Sequence, residues 1–237
     1  MMQRASISHG ALRADELELA GENLVCLPSG CLFWPAEQLF VVSDLHLETG
    51  SSYAGRGQLV PPYDTEQTLT RLCAELRMVQ PKYVICLGDS FHDVEGSSRL
   101  IPSARAILQE CQRSREWVWI AGNHDPEAPA LSGMVADELA VGGITFRHEP
   151  EPQISSAEIC GHLHPAARVN LGVRRVRRRC FVADRQRLML PSFGTYTGGL
   201  SIANPAFQGL FEKAQQWVWL LGRDRVYKFP ATMALGR

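Results

Sequence analysis

No stretch of this sequence is apolar for long enough to cross a bilayer. Its longest apolar runs, such as Trp217 to Leu221, fall far below the roughly 20 residues a helical span needs. The segment Met1 to Gly10 has no apolar core after Arg4, so no secretory leader is expected and the chain reads as cytoplasmic. Low-complexity segments and internal repeats are missing, which sets aside repeat architectures. There is no Cys-x-x-Cys pair among Cys26, Cys31, Cys73, Cys86, Cys111, Cys160 and Cys180, so a zinc–cysteine site is not supported. Their number is odd, they are scattered, and Cys86 and Cys160 sit inside apolar runs; buried, reduced thiols are expected. A large net charge is also lacking. The 24 Lys and Arg against 25 Asp and Glu leave −1, so any affinity for a polyanion must come from a local patch.

What is present is an ordinary globular composition, 45% hydrophobic and 21% charged. No linker long or polar enough to divide the chain is visible, so residues 1–237 are read as one domain able to bury a sizeable core. Short apolar runs rich in β-branched and aromatic residues read as buried strands: Phe40 to Val42, Tyr83 to Leu87, Trp117 to Ile120, Ile144 to Phe146 and Glu158 to Cys160. Between the first two, Leu69, Leu72, Cys73, Leu76 and Val79 recur at helical spacing; Asp64 with Gln67 resembles a capping box, and Pro81 stops the helix. A second helix is expected over about Ser103 to Cys111. Alternation of strands and helices argues for an α/β layered fold. After His164 the pattern turns to strands, at Cys180 to Ala183, Leu188 to Leu190, Trp217 to Leu221 and Val226 to Phe229, as for a second sheet packed on the first. A pair of strands is expected ahead of Phe40.

Each of the five early strands ends in polar residues, and in open α/β sheets ligands bind just beyond the carboxyl ends of strands. The endings are Asp44-Leu45-His46, Gly88-Asp89-Ser90-Phe91-His92-Asp93, Gly122-Asn123-His124-Asp125, His148, and Gly161-His162-Leu163-His164. They hold six of the seven histidines; only His9 lies elsewhere. On an extended segment the side chains of Asp44 and His46, two apart, would point the same way and reach one ion. Mixed imidazole and carboxylate ligands suit manganese, iron or zinc better than calcium or magnesium. The glycines at 88, 122 and 161 would let the backbone turn sharply and approach an ion.

The series D-x-H, G-D, G-N-H-D, H, G-H-x-H, in this order between about Phe40 and Gly194, resembles the calcineurin-like metallophosphoesterase superfamily. That resemblance implies two mixed β-sheets packed as a sandwich flanked by helices, and two divalent metal ions, manganese by family resemblance. It implies that Asp44, His46 and His164 hold the first ion, that Asn123, His148 and His162 hold the second, and that Asp89 bridges both. His124 would be no ligand but would face the substrate as general acid or transition-state stabiliser. The block around His148 reads Arg147-His148-Glu149, where the family often has Gly before the His.

Position 92 departs from the phosphatases of the superfamily, which typically carry Asp there. His92 looks like the double-strand-break repair nucleases, where this His handles the strand near the scissile phosphate; a hydrogen bond to a ligand is the plainer alternative. Asp93 is a candidate for orienting His124 or His92. A narrower resemblance, to the bacterial ligase-associated DNA damage response endonucleases, rests on Leu32-Phe33-Trp34-Pro35-Ala36-Glu37, Ser43-Asp44-Leu45-His46-Leu47-Glu48, Leu87 to Asp93, Gly161 to Pro165 and Leu190-Pro191-Ser192-Phe193-Gly194. It implies a phosphodiesterase or endonuclease acting on nucleic acid, DNA first, beside a DNA ligase and a helicase.

Independently of family, Arg174, Arg175, Arg177, Arg178, Arg179, Arg185 and Arg187 lie within fourteen residues with Asp184 the only acid among them. This stripe either neutralises the phosphates of a substrate or is a strand edge kept charged against aggregation. It has little aromatic interleaving, so base stacking on it is not indicated. Three other readings stay open: a small cyclic nucleotide or phosphomonoester as substrate, a non-catalytic subunit of a repair complex, and a homo-oligomer joined through Trp217 and Trp219.

Overall fold

The apolar runs become the central strands of two sheets in the computed structural model, which describes residues 14–125, 131–172 and 174–234. The first sheet takes its strands from the N-terminal half in chain order: β1 (Asp15–Leu19), β2 (Glu22–Cys26), β3 (Leu32–Trp34), β4 (Leu39–Val42), β5 (Tyr83–Leu87), β6 (Glu116–Ile120) and β7 (Met134–Ala136). β1 to β4 are antiparallel neighbours; β4, β5, β6 and β7 run parallel. The second sheet contains β8 (Glu138–Val141), β9 (Ile144–Arg147), β10 (Ala157–Cys160), β11 (Pro165–Leu171), β12 (Arg174–Ala183), β13 (Arg187–Met189), β14 (Leu200–Ser201), β15 (Trp217–Leu221) and β16 (Val226–Pro230). Here β9, β10 and β13 are parallel and β12 pairs antiparallel with β11, β13 and β15. Helices α1 (Thr49–Gly55), α2 (Asp64–Val79), α3 (Gly96–Arg99), α4 (Pro102–Gln112) and α5 (Ala231–Ala234) complete the set. Two mixed sheets with flanking helices form the expected α/β sandwich.

Strand periodicity explains why β4 reads as an unbroken apolar run. Phe40 and Val42 point one way, into a core with Leu69, Leu72 and Leu76 of α2 and Leu108 of α4; Leu39 and Val41 point the other way, between the sheets, with Ile85, Phe146, Ile159, Phe181 and Leu188. A third core, including Val169, Val182, Met189 and Phe207, covers the outer face of the second sheet.

Several local expectations change. Asp64 does not cap α2: the helix begins at Asp64 itself, and the carboxylate accepts a hydrogen bond from Gly50 N (3.1 Å), drawn away by the neighbouring α1. α2 ends at Val79, with Gln80 in the left-handed region (φ 52°) ahead of Pro81. Cys180 to Ala183 is only the end of β12, which starts at Arg174. The cysteines are not all reduced. Cys73 of α2 and Cys111 of α4 are disulfide-bonded, because the two helices pack with these positions facing, Cα atoms 5.1 Å apart. Cys26, Cys31, Cys86, Cys160 and Cys180 are buried free thiols, as expected. Trp219 packs between the sheets, while Trp217 is 39% exposed with the Lys228 ammonium over its ring. His9 lies outside the described residues, as does the segment Met1 to Gly10.

Candidate metal centre

The carboxyl ends of β4, β5 and β6 in one sheet and of β9 and β10 in the other open at the same seam of the sandwich. Asp44 and Asp89 follow β4 and β5, Asn123 follows β6, His148 follows β9, and His162 and His164 follow β10. The local backbone is not the extended one expected for Asp44 and His46. Asp44, His46, Asp89, His162 and His164 all have positive φ (54°, 43°, 45°, 70° and 46°), a conformation that costs a non-glycine residue free energy and persists only when its surroundings enforce it. The enforcing contacts are visible: His46 N donates to Asp89 O (2.9 Å), Gly194 N to Asp44 O (3.0 Å) and Leu200 N to His164 O (2.8 Å). Left-handed turns thus aim Asp44 and His46 at one point, and send His164 to that same point but His162 to a second one. Glycine is needed for close approach at 88, 122 and 161; at 122 a Cβ would meet the backbone nitrogen of Asp89. A Cβ at Gly88 would run into the His148 ring, and one at Gly161 would meet Ser43 Oγ and Asp44 Oδ2.

The donor atoms form two clusters joined at one carboxylate. In the first, His164 Nε2 lies 3.2 Å from Asp44 Oδ1 and 3.2 Å from His46 Nε2. In the second, Asn123 Oδ1 lies 2.9 Å from His148 Nε2 and 3.0 Å from His162 Nδ1, and these nitrogens are 3.2 Å apart. Asp89 Oδ2 sits between them, 3.7 Å from His46 Nε2 and 3.4 Å from His148 Nε2. All seven residues expected to bind metal are therefore brought together. Neighbouring groups fix their orientation. His148 Nδ1 faces Leu87 O (3.0 Å), which leaves Nε2 as the lone-pair donor, and Ser43 Oγ donates to Asp44 Oδ2 (2.5 Å).

His124 Nδ1 pairs with the backbone carbonyl of His92 (2.8 Å), leaving Nε2 toward the cleft, 3.9 Å from Asp89 Oδ2. The side chain is 41% exposed. The His92 ring stands 5.6 Å from that of His124 and 5.4 Å, edge to face, from Tyr53 of α1, centroid to centroid. Asp93 orients neither histidine; it pairs with Arg99 (2.8 Å), so the carbonyl of His92 does the orienting.

Electrostatics show what the clusters demand. Burial would raise the carboxyl of Asp44, but the imidazoles of His164, then His148, outweigh it and hold Asp44 below its ordinary range. Asp89 is likewise held low against its burial, chiefly by His148. Burial disfavours protonation of His148, yet the hydrogen bond with Asp89 and the charges of Asp44 and Asp89 push it up to about 9. Burial takes His46 down to about 4. His162 is lowered by burial and by His148, and His92 by burial and by His124, with Arg56 and Arg99 adding to the effect. Two buried carboxylates thus draw positive charge into the seam. Asp44 Oδ1 and His46 Nδ1 are buried without a hydrogen-bond partner. Imidazole nitrogens facing one another and an unpartnered carboxylate oxygen fit divalent cations.

The arginines divide by strand position. Arg175, Arg177 and Arg178 are exposed on β12; the side chain of Arg174 lies outside the described ones. Arg177 donates to Gly199 O, and Arg179 donates to the carbonyls of Ser192 (2.9 Å), Gly194 (3.1 Å) and Thr197, so its guanidinium holds the loop that carries Gly194 against Asp44. Arg187 is buried against Glu158. Reading the sequence missed Ser43, Tyr53 and the role of Asp125, which is buried and accepts from Phe91 N (3.0 Å), pinning the turn between Asp89 and His92. Only tertiary contact makes them visible.

A layered α/β sandwich whose strand ends converge on imidazole and carboxylate donors defines a class of hydrolytic enzyme. The chain belongs to the calcineurin-like phosphoesterase family: the model of that family matches residues 38–173, more than half of its length. It is thus a hydrolase of phosphoester bonds. Among solved structures it is similar to the Pseudomonas putida nuclease MPE, with 30% identity and a TM-score of 0.71 over 92% of this chain and 100% of that one. YfcE, a phosphoesterase from E. coli, aligns at 13% identity and a TM-score of 0.41, covering 81% of this chain and 98% of that one. No curated protein sequence matches the chain significantly.

Proposed function

We propose that the protein is a two-metal phosphodiesterase acting on nucleic acid, DNA in the first place, as an endonuclease of DNA repair. The observation that carries the reading is the position of Asp89 Oδ2 between two donor clusters, 3.7 Å from His46 Nε2 and 3.4 Å from His148 Nε2. Asp44, His46 and His164 would hold one ion, Asn123, His148 and His162 the other, with Asp89 common to both. Divalent cations bound there, manganese in this reading with iron or zinc also suited to the donors, polarise a phosphoryl group and acidify a water. The chain's own residues do the rest. Asp89 offsets charge that would otherwise drive two cations apart. His124, its Nδ1–H fixed on His92 O, turns Nε2 toward the leaving oxygen, to which its imidazolium form would give the Nε2 proton. His92, its ring 5.6 Å from that of His124, would meet the strand that flanks the scissile phosphate.

Nucleic acid as substrate is supported by the likeness to a nuclease and by the exposed Arg175, Arg177 and Arg178, which suit a phosphate backbone. In this reading residues 1–237 form one cytoplasmic domain that works beside a DNA ligase and a helicase. The test is hydrolysis by manganese-loaded protein of single-stranded DNA, bis-p-nitrophenyl phosphate and p-nitrophenyl phosphate, with His124→Ala as control. Cleavage of DNA and the diester, lowered about 10²–10⁴-fold in the variant, is expected. Activity on the diester without DNA cleavage would move the substrate to a small nucleotide.

A further inference from the structure

Beside the donor clusters, on the α1 side, lies a second cleft of about 340 Å³. Ser51 and Ser52 of α1, Arg56 at the end of that helix, and Asp93, Glu95 and Arg99 from the segment after His92 form its walls. It meets the candidate centre by way of His92. Tyr53, from the same helix, sets its ring against His92, and Asp93 is the next residue in the chain.

The lining is polar and largely pre-set. Arg99 is engaged, with Nη2 on Asp93 Oδ2 (2.8 Å) and Nε on Ser51 Oγ (3.0 Å), which makes a rigid floor of hydroxyl, carboxylate and guanidinium. Arg56 differs: it is exposed at the rim and, among the described residues, its guanidinium enters no ion pair. A bare anion is a poor match, because Asp93 and Glu95 offset the two arginines. A bare cation is a poor match for the same reason. The complement of such a wall is a group with donors and acceptors on its edges and one negative charge beside it. The volume is at the lower end of what ligand sites occupy, about 300–1,000 Å³.

We propose that this cleft is a nucleotide subsite: it receives the sugar and base of the nucleotide flanking the scissile phosphate, with Arg56 on the outer phosphate. The inference rests on the phosphodiesterase reading above and adds the side of the centre along which the polynucleotide runs.

The experiment uses the manganese-loaded full chain, with bis-p-nitrophenyl phosphate as reporter substrate. Inhibition by thymidine monophosphate is compared with inhibition by inorganic phosphate in the wild type, Arg56→Ala and Val94→Trp. Val94 is a 61% exposed residue of the cleft, so a large side chain there fills the space without disturbing the core. Thymidine monophosphate should inhibit the wild type more tightly than phosphate. Each variant should weaken that inhibition about tenfold more than it weakens inhibition by phosphate, the scale of one charge-assisted hydrogen bond. Equal inhibition by the two probes in the wild type, or variants that shift both alike, would overturn the subsite and leave the phosphodiesterase reading intact. A wild type unable to hydrolyse the reporter would remove that reading, and the subsite with it. Tight thymidine monophosphate binding without cleavage of oligonucleotides would overturn the cleft as a subsite for a polynucleotide and leave a mononucleotide site.

Discussion

Asp89 is the residue on which the two donor clusters depend. Its backbone is held at φ 45°, its carbonyl takes the amide of His46, and its Oδ1 takes the amide of His124, so only Oδ2 is left to face the donors on both sides. Asp89→Ala therefore removes the shared carboxylate without replacing it. The expected outcome is loss of turnover together with a fall in bound manganese, from two ions to at most about one per chain. Elemental analysis after gel filtration checks it, and turnover with a full metal complement would rule out the bridge. The tautomer of His148 is set in the same way, by Leu87 O, so that its free nitrogen points into the seam.

At the scale of elements, α2 joins the first sheet to α4 and carries two features the sequence pattern hides. The Cys73–Cys111 bond closes a loop across a separation of 38 residues. Cys73→Ala should lower stability by about 2–4 kcal/mol under non-reducing conditions and have a much smaller effect with dithiothreitol present, read from urea unfolding. Glu75, on the same helix, is raised above its ordinary pKa by burial, with Ser29 and Arg71 only partly offsetting it, and its Oε2 lacks a partner. A carboxyl whose folded pKa is raised costs nothing below its unfolded value. Its cost grows as pH climbs from there through the folded value and is constant above. Glu75→Gln should thus match the wild type near pH 4 and exceed it in urea midpoint at pH 8. A difference that did not widen between those pH values would show that burial does not burden this group.

For the whole molecule, the donors come from both sheets: Asp44, His46, Asp89 and Asn123 from the first, His148, His162 and His164 from the second. Ions bound by them would tie the two layers together at the seam and neutralise the buried carboxylates. Chelation should then lower the melting temperature, and added manganese should restore it with a dependence on its concentration. A melting temperature indifferent to chelator would mean that the sheets hold one another without the centre. The inter-sheet core itself is tested by Phe146→Ala. This residue is fully buried and two positions before His148, so the change should cost about 3–5 kcal/mol in the metal-free protein, measured by denaturant unfolding.

The central strands, the helices α2 and α4, the family, and the seven residues that meet at the seam were legible in the sequence because each is a local signal. Apolar runs mark buried strands wherever they sit, and polar endings mark what those strands deliver. Only the tertiary structure decided how the donors are aimed. Asp44 and His46 reach one point through left-handed backbone enforced by Asp89 and Gly194, residues far away in the chain. It also decided that Arg179 holds a loop while Arg175, Arg177 and Arg178 stay exposed, that Asp64 serves α1 rather than its own helix, and that Cys73 meets Cys111. These outcomes depend on which side chains from separate elements come within a few ångströms, and spacing along one strand or helix carries no record of that.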